Sequence, residues 1–208
     1  DVHGKNHHIN GSFGNHIKSL LIIDGKGQKK ELTPLNKNNK DISNQFWATI
    51  GGMGLTGIII EATFKIIPIS TSYIKVDTRR FEEINDLMEA MIEADKSYKY
   101  SVAWIDSLSI KGRGVLTCGN HANIEDIRTE SRVNPLDINL DSFTNAPQYM
   151  PGGIINSFTI KMFNESWFRK SPKFKENELQ QLAKFFYPLD GINNWNNLYG
   201  KEGFIQYQ

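Results

Sequence analysis

The sequence has little cysteine, little net charge and no long uninterrupted apolar run. One cysteine, Cys118, stands among 208 residues, which excludes an intrachain disulfide. A lone cysteine is usually a small buried apolar residue, and we expect that of Cys118. Lys and Arg number 24 against 23 Asp and Glu, so the composition gives no support for a nucleic-acid partner. The missing apolar run predicts no membrane-spanning helix.

Enough apolar material is present for a folded core. Hydrophobic residues make up 39% of the chain and aromatic residues 11%, above the range of disordered proteins. The length fits one large domain or two small ones. The chain starts without methionine inside a motif and ends in an alternating strand pattern. We therefore expect it to be the middle of a longer protein.

The first sixteen residues hold most of the histidines and several glycines: His3, His7, His8, His16, Gly4, Gly11 and Gly14. Glycine lets a ligand approach the main chain closely, and the polar side chains suit a polyanionic or aromatic cofactor. A solvated polar loop is the alternative. A metal site is disfavoured, because the glycines argue against a helix and only Asp1 lies close enough to add a ligand.

Two strands and a helix are predicted in the first third of the chain. Residues 17–24 and 29–33 flank an Asp-Gly turn, which is typical of a hairpin. Asp41 or Ser43 is expected to cap a short helix carrying Phe46, Trp47 and Ile50. Residues 58–67 alternate as a strand with Ile58, Ile60, Ala62, Phe64 and Ile66 on one face. The glycines at 51–57 precede this strand, the reverse of a dinucleotide-binding loop, which we therefore reject.

The remainder predicts an α+β domain after a boundary at residues 68–72. Strands are expected at 73–78, 100–106 and 114–119, and helices at 81–96 and 178–186. The first helix carries an apolar stripe that we expect to face the core, consisting of Ile84, Leu87, Met88, Met91 and Ile92. Residues 125–151 and 190–203 are predicted to be long loops, and 152–170 a helix or extended segment.

The last six residues, 203–208, alternate as a strand. The amides of Gln206 and Gln208 then fall on one face with Phe204. That face is either exposed to solvent or lines a polar pocket, because buried amides need hydrogen-bond partners.

Several strings together resemble one family of flavoproteins. They are His3-Gly-Lys-Asn-His-His8, Gly11-Ser-Phe-Gly14, Phe46-Trp-Ala-Thr-Ile-Gly-Gly-Met-Gly-Leu-Thr-Gly-Ile58, Tyr187-Pro-Leu-Asp190 and Gly203-Phe-Ile-Gln-Tyr-Gln208. The chain resembles FAD-linked oxidases of the vanillyl-alcohol oxidase/p-cresol methylhydroxylase (PCMH) superfamily, near the aldonolactone oxidases. Within it, the strings are most similar to the branch acting on polyprenyl-phosphoryl ribose.

The resemblance implies an α+β flavoprotein of two domains. Residues 1–69 would be the C-terminal half of a PCMH-type FAD-binding domain. Residues 70–208 would be most of an α+β substrate (cap) domain with an antiparallel sheet. FAD would be bound non-covalently between them. The fragment itself would bind FAD poorly, since the family's pyrophosphate loop and a pocket lysine and cysteine lie outside it.

The resemblance also implies roles for individual residues. His3 and Lys5 would be catalytic, and no metal is implied. FAD would contact Asp1, Val2, His3, Gly4, Gly57, Ile58 and Ile59. Substrate would contact Lys5, Trp104, Gln206 and Gln208. Val102 stands where the family has a small polar residue, and the two long loops would be lids over the entrance for the lipid substrate.

The implied reaction is oxidation of the C2 hydroxyl of a polyprenyl-phosphoryl ribose to the 2-keto sugar. A partner NAD(P)H-dependent reductase would complete an epimerisation to arabinose for cell-wall precursor synthesis. A lipid-linked substrate implies peripheral membrane association. Two alternatives remain, namely a related oxidase with a soluble sugar or aldonolactone substrate, and a non-catalytic carbohydrate-binding module using Trp104, Trp195, Gln206 and Gln208.

Overall fold

The computed structural model describes residues 2–138, 144–146, 155–188 and 192–203. The chain divides into two compact units, residues 1–68 and 69–208. Both combine helices with antiparallel sheets, so the predicted α+β class is confirmed. Their assignment to an FAD-binding domain and a cap domain stays a prediction.

The first unit contains a three-stranded antiparallel sheet of order β2-β1-β3. Its strands are β1 (Ile17–Ile23), β2 (Lys29–Leu32) and β3 (Ile58–Phe64). The predicted hairpin is confirmed, with Leu20 opposite Leu32. The Asp24 carboxylate fixes its turn by accepting hydrogen bonds from the backbone N–H groups of Lys26 and Gln28 at 2.8 and 2.9 Å, a local arrangement that aspartate favours.

Helix α2 (Lys40–Thr49) covers one face of this sheet. Phe46 is fully buried and packs with Leu20, Ile22 and other core residues of the unit. The predicted cap was wrong: Asn39 is the N-cap, and its side chain accepts from the Asp41 N–H at 2.9 Å. Asparagine caps a helix as well as aspartate or serine, so residue type alone could not separate Asn39 from Asp41 and Ser43.

Strand β3 forms the edge of the sheet, and all seven of its residues are exposed. The predicted alternation therefore does not separate a buried from an exposed face here. Gly57, which precedes it, has a φ of 144°. A Cβ atom there would lie 2.3 Å from the Ile23 carbonyl oxygen. Only glycine lets the chain pass so close to β1.

The second unit is built on a four-stranded antiparallel sheet of order β5-β6-β4-β8. Its elements are β4 (Tyr73–Phe81), α3 (Ile84–Ala94), β5 (Tyr100–Ile105), β6 (Gly114–His121), α4 (Ser157–Lys170), β8 (Phe174–Gln181) and α5 (Leu182–Phe186). The short strands β7 (Thr144–Asn145) and β9 (Ile192–Asn193) pair in parallel. Short 3-10 helices lie at Thr129–Arg132 and Trp195–Glu202, inside the two predicted loops.

Helix α3 covers one face of this sheet. Leu87 is 1% exposed and packs in a core with Phe81, Leu116 and Cys118. The predicted apolar stripe was partly wrong, because Met88 and Ile92 are 53% and 64% exposed. The helix therefore buries a narrower apolar stripe than its periodicity suggested.

The predicted helix at 178–186 was also wrong in its first half. Residues up to Gln181 belong to strand β8, with Gln181 opposite Tyr73 on β4, and only Leu182–Phe186 is helical. Pairing with a strand about a hundred residues earlier in the chain overrides the local helical pattern, a contact that local propensity does not encode.

Alanine substitutions at three glycines of the first unit distinguish the effect of backbone strain from the effect of a steric clash. We expect Gly25→Ala to change the free energy of unfolding little, because Gly25 has open space around its Cα. Gly54 also has open space but a φ of 78°, so Gly54→Ala should destabilise by about 1–2 kcal/mol. Gly57→Ala should cost more than either, since it adds the backbone clash. Urea denaturation of the three variants tests this order; equal midpoints for Gly54→Ala and Gly57→Ala would contradict the clash.

Candidate functional site

The N-terminal loop is held in place by backbone hydrogen bonds. The Val2 carbonyl accepts from the Phe13 N–H at 2.7 Å, and the Gly4 carbonyl accepts from the His7 N–H at 3.1 Å. A single helical turn follows, α1 (His7–Asn10), which ends at Gly11 with a φ of 66°. The expectation that glycines exclude a helix was therefore too strict, because Gly4 and Gly11 flank the turn instead of interrupting it.

His3 and Lys5 lie at the start of this loop. The His3 side chain is exposed and meets His7 edge to face, with ring centroids 5.1 Å apart. Lys5 is half-buried, and its burial lowers the pKa of its amine below the ordinary value. A desolvated lysine gives up or accepts a proton more readily near neutral pH than a solvated one. This loop thus offers both an exposed imidazole and a perturbed amine.

The two predicted cofactor-binding segments of the first unit lie near opposite ends of strand β3. The register pairs Ile58 with Ile23 at one end and Phe64 with Ile17 at the other. The loop joins the Phe64 end, where the Phe13 and Phe64 ring centroids are 5.9 Å apart. Six residue steps along a strand span roughly 20 Å. The two segments therefore do not converge on a point, but they suit an elongated ligand lying along the strand.

Trp104 lies in the second unit, on the sheet face opposite α3. It shares this face with Val102 and Tyr100 on β5. Across the sheet, Val102 faces Thr117 on β6, and Thr117 faces Thr78 on β4. Thr78, Val102 and Thr117 are all half-exposed. We call these three residues the open strip; sequence reasoning did not select its two threonines.

Helix α5 covers one end of this sheet face. Phe185 is 3% exposed and packs with Ile74, Val76 and Tyr100. A Cβ atom at Gly119 would lie 3.2 Å from the Phe185 ring, so glycine allows the close approach. The open strip begins one row beyond this contact, where Thr117 replaces Gly119 as the β6 residue on this face.

A histidine and a tyrosine border the same end of the sheet, and sequence reasoning also missed them. The Tyr100 hydroxyl and His121 Nε2 are 2.9 Å apart. His121 Nδ1 is buried with no hydrogen-bond partner among the described residues. Desolvation, with a smaller effect of the Lys99 charge, lowers the pKa of His121, and desolvation raises the pKa of Tyr100. Both groups are therefore neutral near pH 7.

Helix α4 covers the other end of the face and is held by a charged network. The Asp106 carboxylate is 3% exposed. It accepts two hydrogen bonds from Arg113 at 3.0 Å and one from the Asn164 amide at 2.6 Å. Arg113 also donates to Glu165 at 2.6 Å. Asn164 and Glu165 belong to α4, so the network ties this helix to the end of β5.

Arg80 adds a second attachment for α4. Its guanidinium donates to the carbonyls of Phe168, Arg169 and Ser171 at 2.9, 3.2 and 3.3 Å. Cations favour the carboxyl end of a helix, where backbone carbonyls lack partners. The guanidinium groups of Arg80 and Arg113 lie 4.8 and 4.7 Å from the buried Phe168 ring, within the range of cation–π attraction.

Cys118 lies on the α3 side of the sheet, away from Trp104. It is 4% exposed. Desolvation and the negative charges of Asp95 and Asp77 raise the pKa of its thiol to about 12. Cys118 is therefore a buried, unreactive residue, as predicted. Among the described residues no group of three His, Cys, Asp or Glu side chains is placed to hold a metal ion, and none of the helices described is long and apolar enough to cross a membrane.

Three of the predicted site residues, Asp1, Gln206 and Gln208, lie outside the described residues, as does most of the predicted final strand. Their roles stay predictions. Of the remainder, the structure groups Val2, His3, Gly4 and Lys5 in one loop and Gly57, Ile58 and Ile59 at the far end of β3. Trp104 stands in the other unit beside the open strip.

Comparison with known proteins finds a relative that is named as an oxidase. No family model matches the chain. It is 36% identical, over its whole length, to the protein named decaprenylphosphoryl-β-D-ribose oxidase from Mycolicibacterium smegmatis, and covers 45% of that protein. The predicted resemblance to an oxidase of this kind is thus confirmed.

A second relative extends the similarity. The chain is 29% identical over 206 residues to a Streptomyces coelicolor protein described as an uncharacterized protein in the mprA 5′ region. The alignment covers 92% of this chain and 53% of that protein. The chain therefore spans about half the length of the curated relatives it matches.

The hydrogen bonds of the Asp106 carboxylate predict that the attachment of α4 weakens at acid pH. Desolvation opposes ionisation of Asp106, but hydrogen bonds from Asn164 and Arg113 outweigh it and lower the pKa of the carboxyl. A depressed pKa contributes stability above the unfolded-state value of about 3.9, and this stability is lost as the pH falls through the folded pKa. We expect Asp106→Asn to be less stable than wild type at pH 7, and to lose less stability than wild type below about pH 4.

Thermal unfolding between about pH 7 and about pH 2.5 measures this difference, a range that brackets the ordinary aspartate pKa of about 3.9. Asp106→Ala should destabilise by about 3–5 kcal/mol at pH 7, since it leaves Arg113 and Asn164 without their buried acceptor. Glu93→Gln is the control, because the Glu93–Lys96 pair is 74% and 65% exposed and should contribute little. A parallel pH profile for Asp106→Asn and wild type would show that the carboxylate does not carry the effect.

Proposed function

We propose that this chain is part of an FAD-dependent oxidoreductase that oxidises the C2 hydroxyl of a polyprenyl-phosphoryl ribose to the 2-keto sugar. The observation that carries the proposal is the 36% identity, along the whole chain, to decaprenylphosphoryl-β-D-ribose oxidase. The proposal concerns the whole protein, of which residues 1–68 would bind FAD and residues 69–208 the substrate.

The first unit fits an elongated dinucleotide cofactor. The loop at Val2–Lys5 and the segment at Gly57–Ile59 lie near opposite ends of an exposed edge strand. Ile58 and Ile59 are 69% and 49% exposed, so they offer apolar surface to a ring system. The conformation of Gly57, at a φ of 144°, brings the chain against β1 and leaves the start of β3 uncovered. Bound FAD would supply the acceptor for the hydride that leaves the alcohol carbon.

His3 and Lys5 are the residues proposed to act on the hydroxyl. Oxidation of an alcohol removes a hydride from carbon and a proton from oxygen, so a group that accepts or stabilises the proton is needed. The exposed His3 imidazole suits a hydrogen bond to the sugar. The half-buried Lys5 amine, whose pKa burial lowers, suits acceptance of the proton from the hydroxyl oxygen.

The second unit offers a polar surface for a sugar. The hydroxyls of Thr78 and Thr117 stand on the open strip, and Trp104 lies one row further along the same face. Sugar recognition combines an aromatic face with hydroxyl and amide hydrogen bonds. Gln206 and Gln208 are proposed to add the amide groups. Val102 presents an apolar side chain where the family has a small polar one, and it would narrow the strip.

The product defines the reaction that must follow. A 2-keto sugar is converted to the C2 epimer by delivery of a hydride to the opposite face, so a partner NAD(P)H-dependent reductase is proposed to complete the change from ribose to arabinose. A related oxidase acting on a soluble sugar or aldonolactone is the alternative. It predicts that activity does not depend on the lipid tail.

Flavin reduction is the direct test of the reaction. The intact protein, purified with its flavin, is mixed without oxygen with a short-chain polyprenyl-phosphoryl ribose, and the flavin absorbance near its long-wavelength maximum is followed. We expect bleaching with this substrate and none with the matched arabinose epimer. A flavin that bleaches equally with a free sugar would favour the soluble-substrate alternative, and protein that binds no flavin would refute the proposal.

Substitutions at the loop test its residues. We expect His3→Ala and Lys5→Met each to lower turnover by about 10²–10⁴-fold, the usual contribution of acid–base or charge-stabilising groups. The melting temperature of His3→Ala should change little, because His3 is exposed, and Lys5→Met keeps the length of the half-buried Lys5 side chain. Lys18→Met, which removes an exposed lysine from β1, is the matched control and should keep full activity. Unchanged turnover in either loop variant would remove that residue from the site.

A further inference from the structure

The open strip leads to a charged side chain at the edge of the sheet. The β4–β8 register places Lys175 directly opposite Thr78, and side chains that face each other across antiparallel strands point to the same side of a sheet. A single row across all four strands is therefore formed by Val102, Thr117, Thr78 and Lys175. Neighbouring strands lie about 4.8 Å apart, so the row extends roughly 14 Å.

A β-bulge turns Lys175 toward this side of the sheet. Val76 lies opposite Glu178, and Thr78 lies opposite Lys175. Two residue steps on β4 thus correspond to three on β8. The extra residue is accommodated at Asn177, which has a φ of 54°. In a regular ladder, alternation would place Lys175 on the α3 side instead. Bulges redirect side chains in this way and are frequent beside functional sites.

Glu178 is the carboxylate that faces Lys175 on the open-strip side. Its Oε1 lies 3.1 Å from Lys175 Nζ, and its Oε2 accepts a hydrogen bond from the Gln180 amide at 3.1 Å. Desolvation opposes ionisation of Glu178, but hydrogen bonds from Gln180 and Lys175 outweigh it and lower the pKa of the carboxyl. Glu176, the other glutamate of β8, falls in the bulge opposite Asp77 and so on the α3 side. The charge of Lys175 is therefore balanced by a glutamate that has a second donor of its own.

Charge is distributed unevenly along the row. The β5 residues on this face, a strand that the structure describes in full, are aromatic or aliphatic. Arg80 of β4 is committed to the carboxyl end of α4, where it donates to three carbonyls. The Lys175 side chain is 50% exposed. An ammonium group has three N–H donors, and among the described residues only Glu178 pairs with this one. Lys175 can therefore bind a further anion at the β8 end of the row.

We infer that Lys175 binds the phosphate of the substrate and so sets the direction in which the substrate lies on the open strip. The inference rests on the proposed function, since a polyprenyl-phosphoryl ribose carries its negative charge on the phosphate beside the sugar. With the phosphate at Lys175, the sugar lies over Thr78 and Thr117, on the side of Trp104. The lipid tail then leaves across β8, which is an edge of the sheet.

Glu178 competes with the phosphate for Lys175. A phosphate oxygen and a carboxylate oxygen are both anionic acceptors for an ammonium group, so binding exchanges one acceptor of Lys175 for another. Glu178 keeps its hydrogen bond from Gln180 when Lys175 turns to the ligand. The affinity for the phosphate should therefore rise when the charge of Glu178 is removed.

Calorimetry on the intact flavoprotein tests the inference without turnover. The probe is a short-chain polyprenyl-phosphoryl arabinose, the epimer that we expect not to reduce the flavin. Lys175→Met should raise its Kd by about tenfold or more, the scale of a hydrogen bond to a charged group. Lys175→Arg should restore most of the affinity, because it keeps the cation. Glu178→Gln should lower the Kd by about two- to fivefold, the scale of a partly exposed ion pair.

Lys96→Met is the matched control. Lys96 pairs with a glutamate at the same spacing of three residues, Glu93, but it follows α3 on the other side of the sheet. It should bind the probe as wild type does. Methyl arabinoside, which lacks the phosphate, should bind wild type and Lys175→Met equally. Circular dichroism verifies that each variant is folded.

Three results would overturn the inference. They are no binding of the phosphorylated probe to wild type, equal Kd values for wild type and Lys175→Met, and an equal loss of affinity of Lys175→Met for methyl arabinoside. The last would assign Lys175 to the sugar. Failure of the proposed function is seen separately, because a flavin that the ribose substrate does not reduce would refute the oxidation and leave the dependence of probe binding on Lys175 unchanged.

Discussion

The buried carboxylate of Asp106 is the interaction on which the second unit depends. Asp106 directly follows strand β5. Its carboxylate accepts hydrogen bonds from Arg113, at the other end of the β5–β6 connection, and from Asn164 of α4. A buried charge is costly unless several donors surround it. Because Asp106 has them, α4 takes a single orientation. That orientation decides which helix residues are buried, which are exposed, and where the covered part of the sheet ends.

Strand alternation then divides the sheet into two faces with different composition. On the α3 side, Leu116 and Cys118 build an apolar core. On the other side, α4 and α5 each cover one end, and the threonines between them stay half-exposed. A face fully covered by helix would have left no room for a ligand. The open strip is therefore what remains between these two covers. Asp106 holds α4 at one end, and Phe185 of α5 packs over Gly119 at the other.

The parts of the fold that sequence predicted are those determined by neighbours in the chain. The Asp-Gly hairpin was predicted because Asp24 bonds groups two and four residues away. The last four residues of strand β8 were predicted as helix because their partner strand β4 is about a hundred residues distant. The contact of Asn164 with Asp106 likewise joins residues that are 58 positions apart, and neither residue type predicts this contact. For the site, motif resemblance selected His3, Lys5 and Trp104, whereas Thr78 and Thr117 emerged only from strand register.

One constraint connects the Asp106 network to the way in which α4 is attached. A helix whose buried side is polar and aromatic, with Asn164 and Phe168, gains its attachment from directional bonds and not from a wide apolar stripe. The Asn164 bond to Asp106 and the contacts of Arg80 and Arg113 with Phe168 all fall on this buried side. Their loss would therefore release the helix from the end of the sheet, and with it the boundary of the open strip.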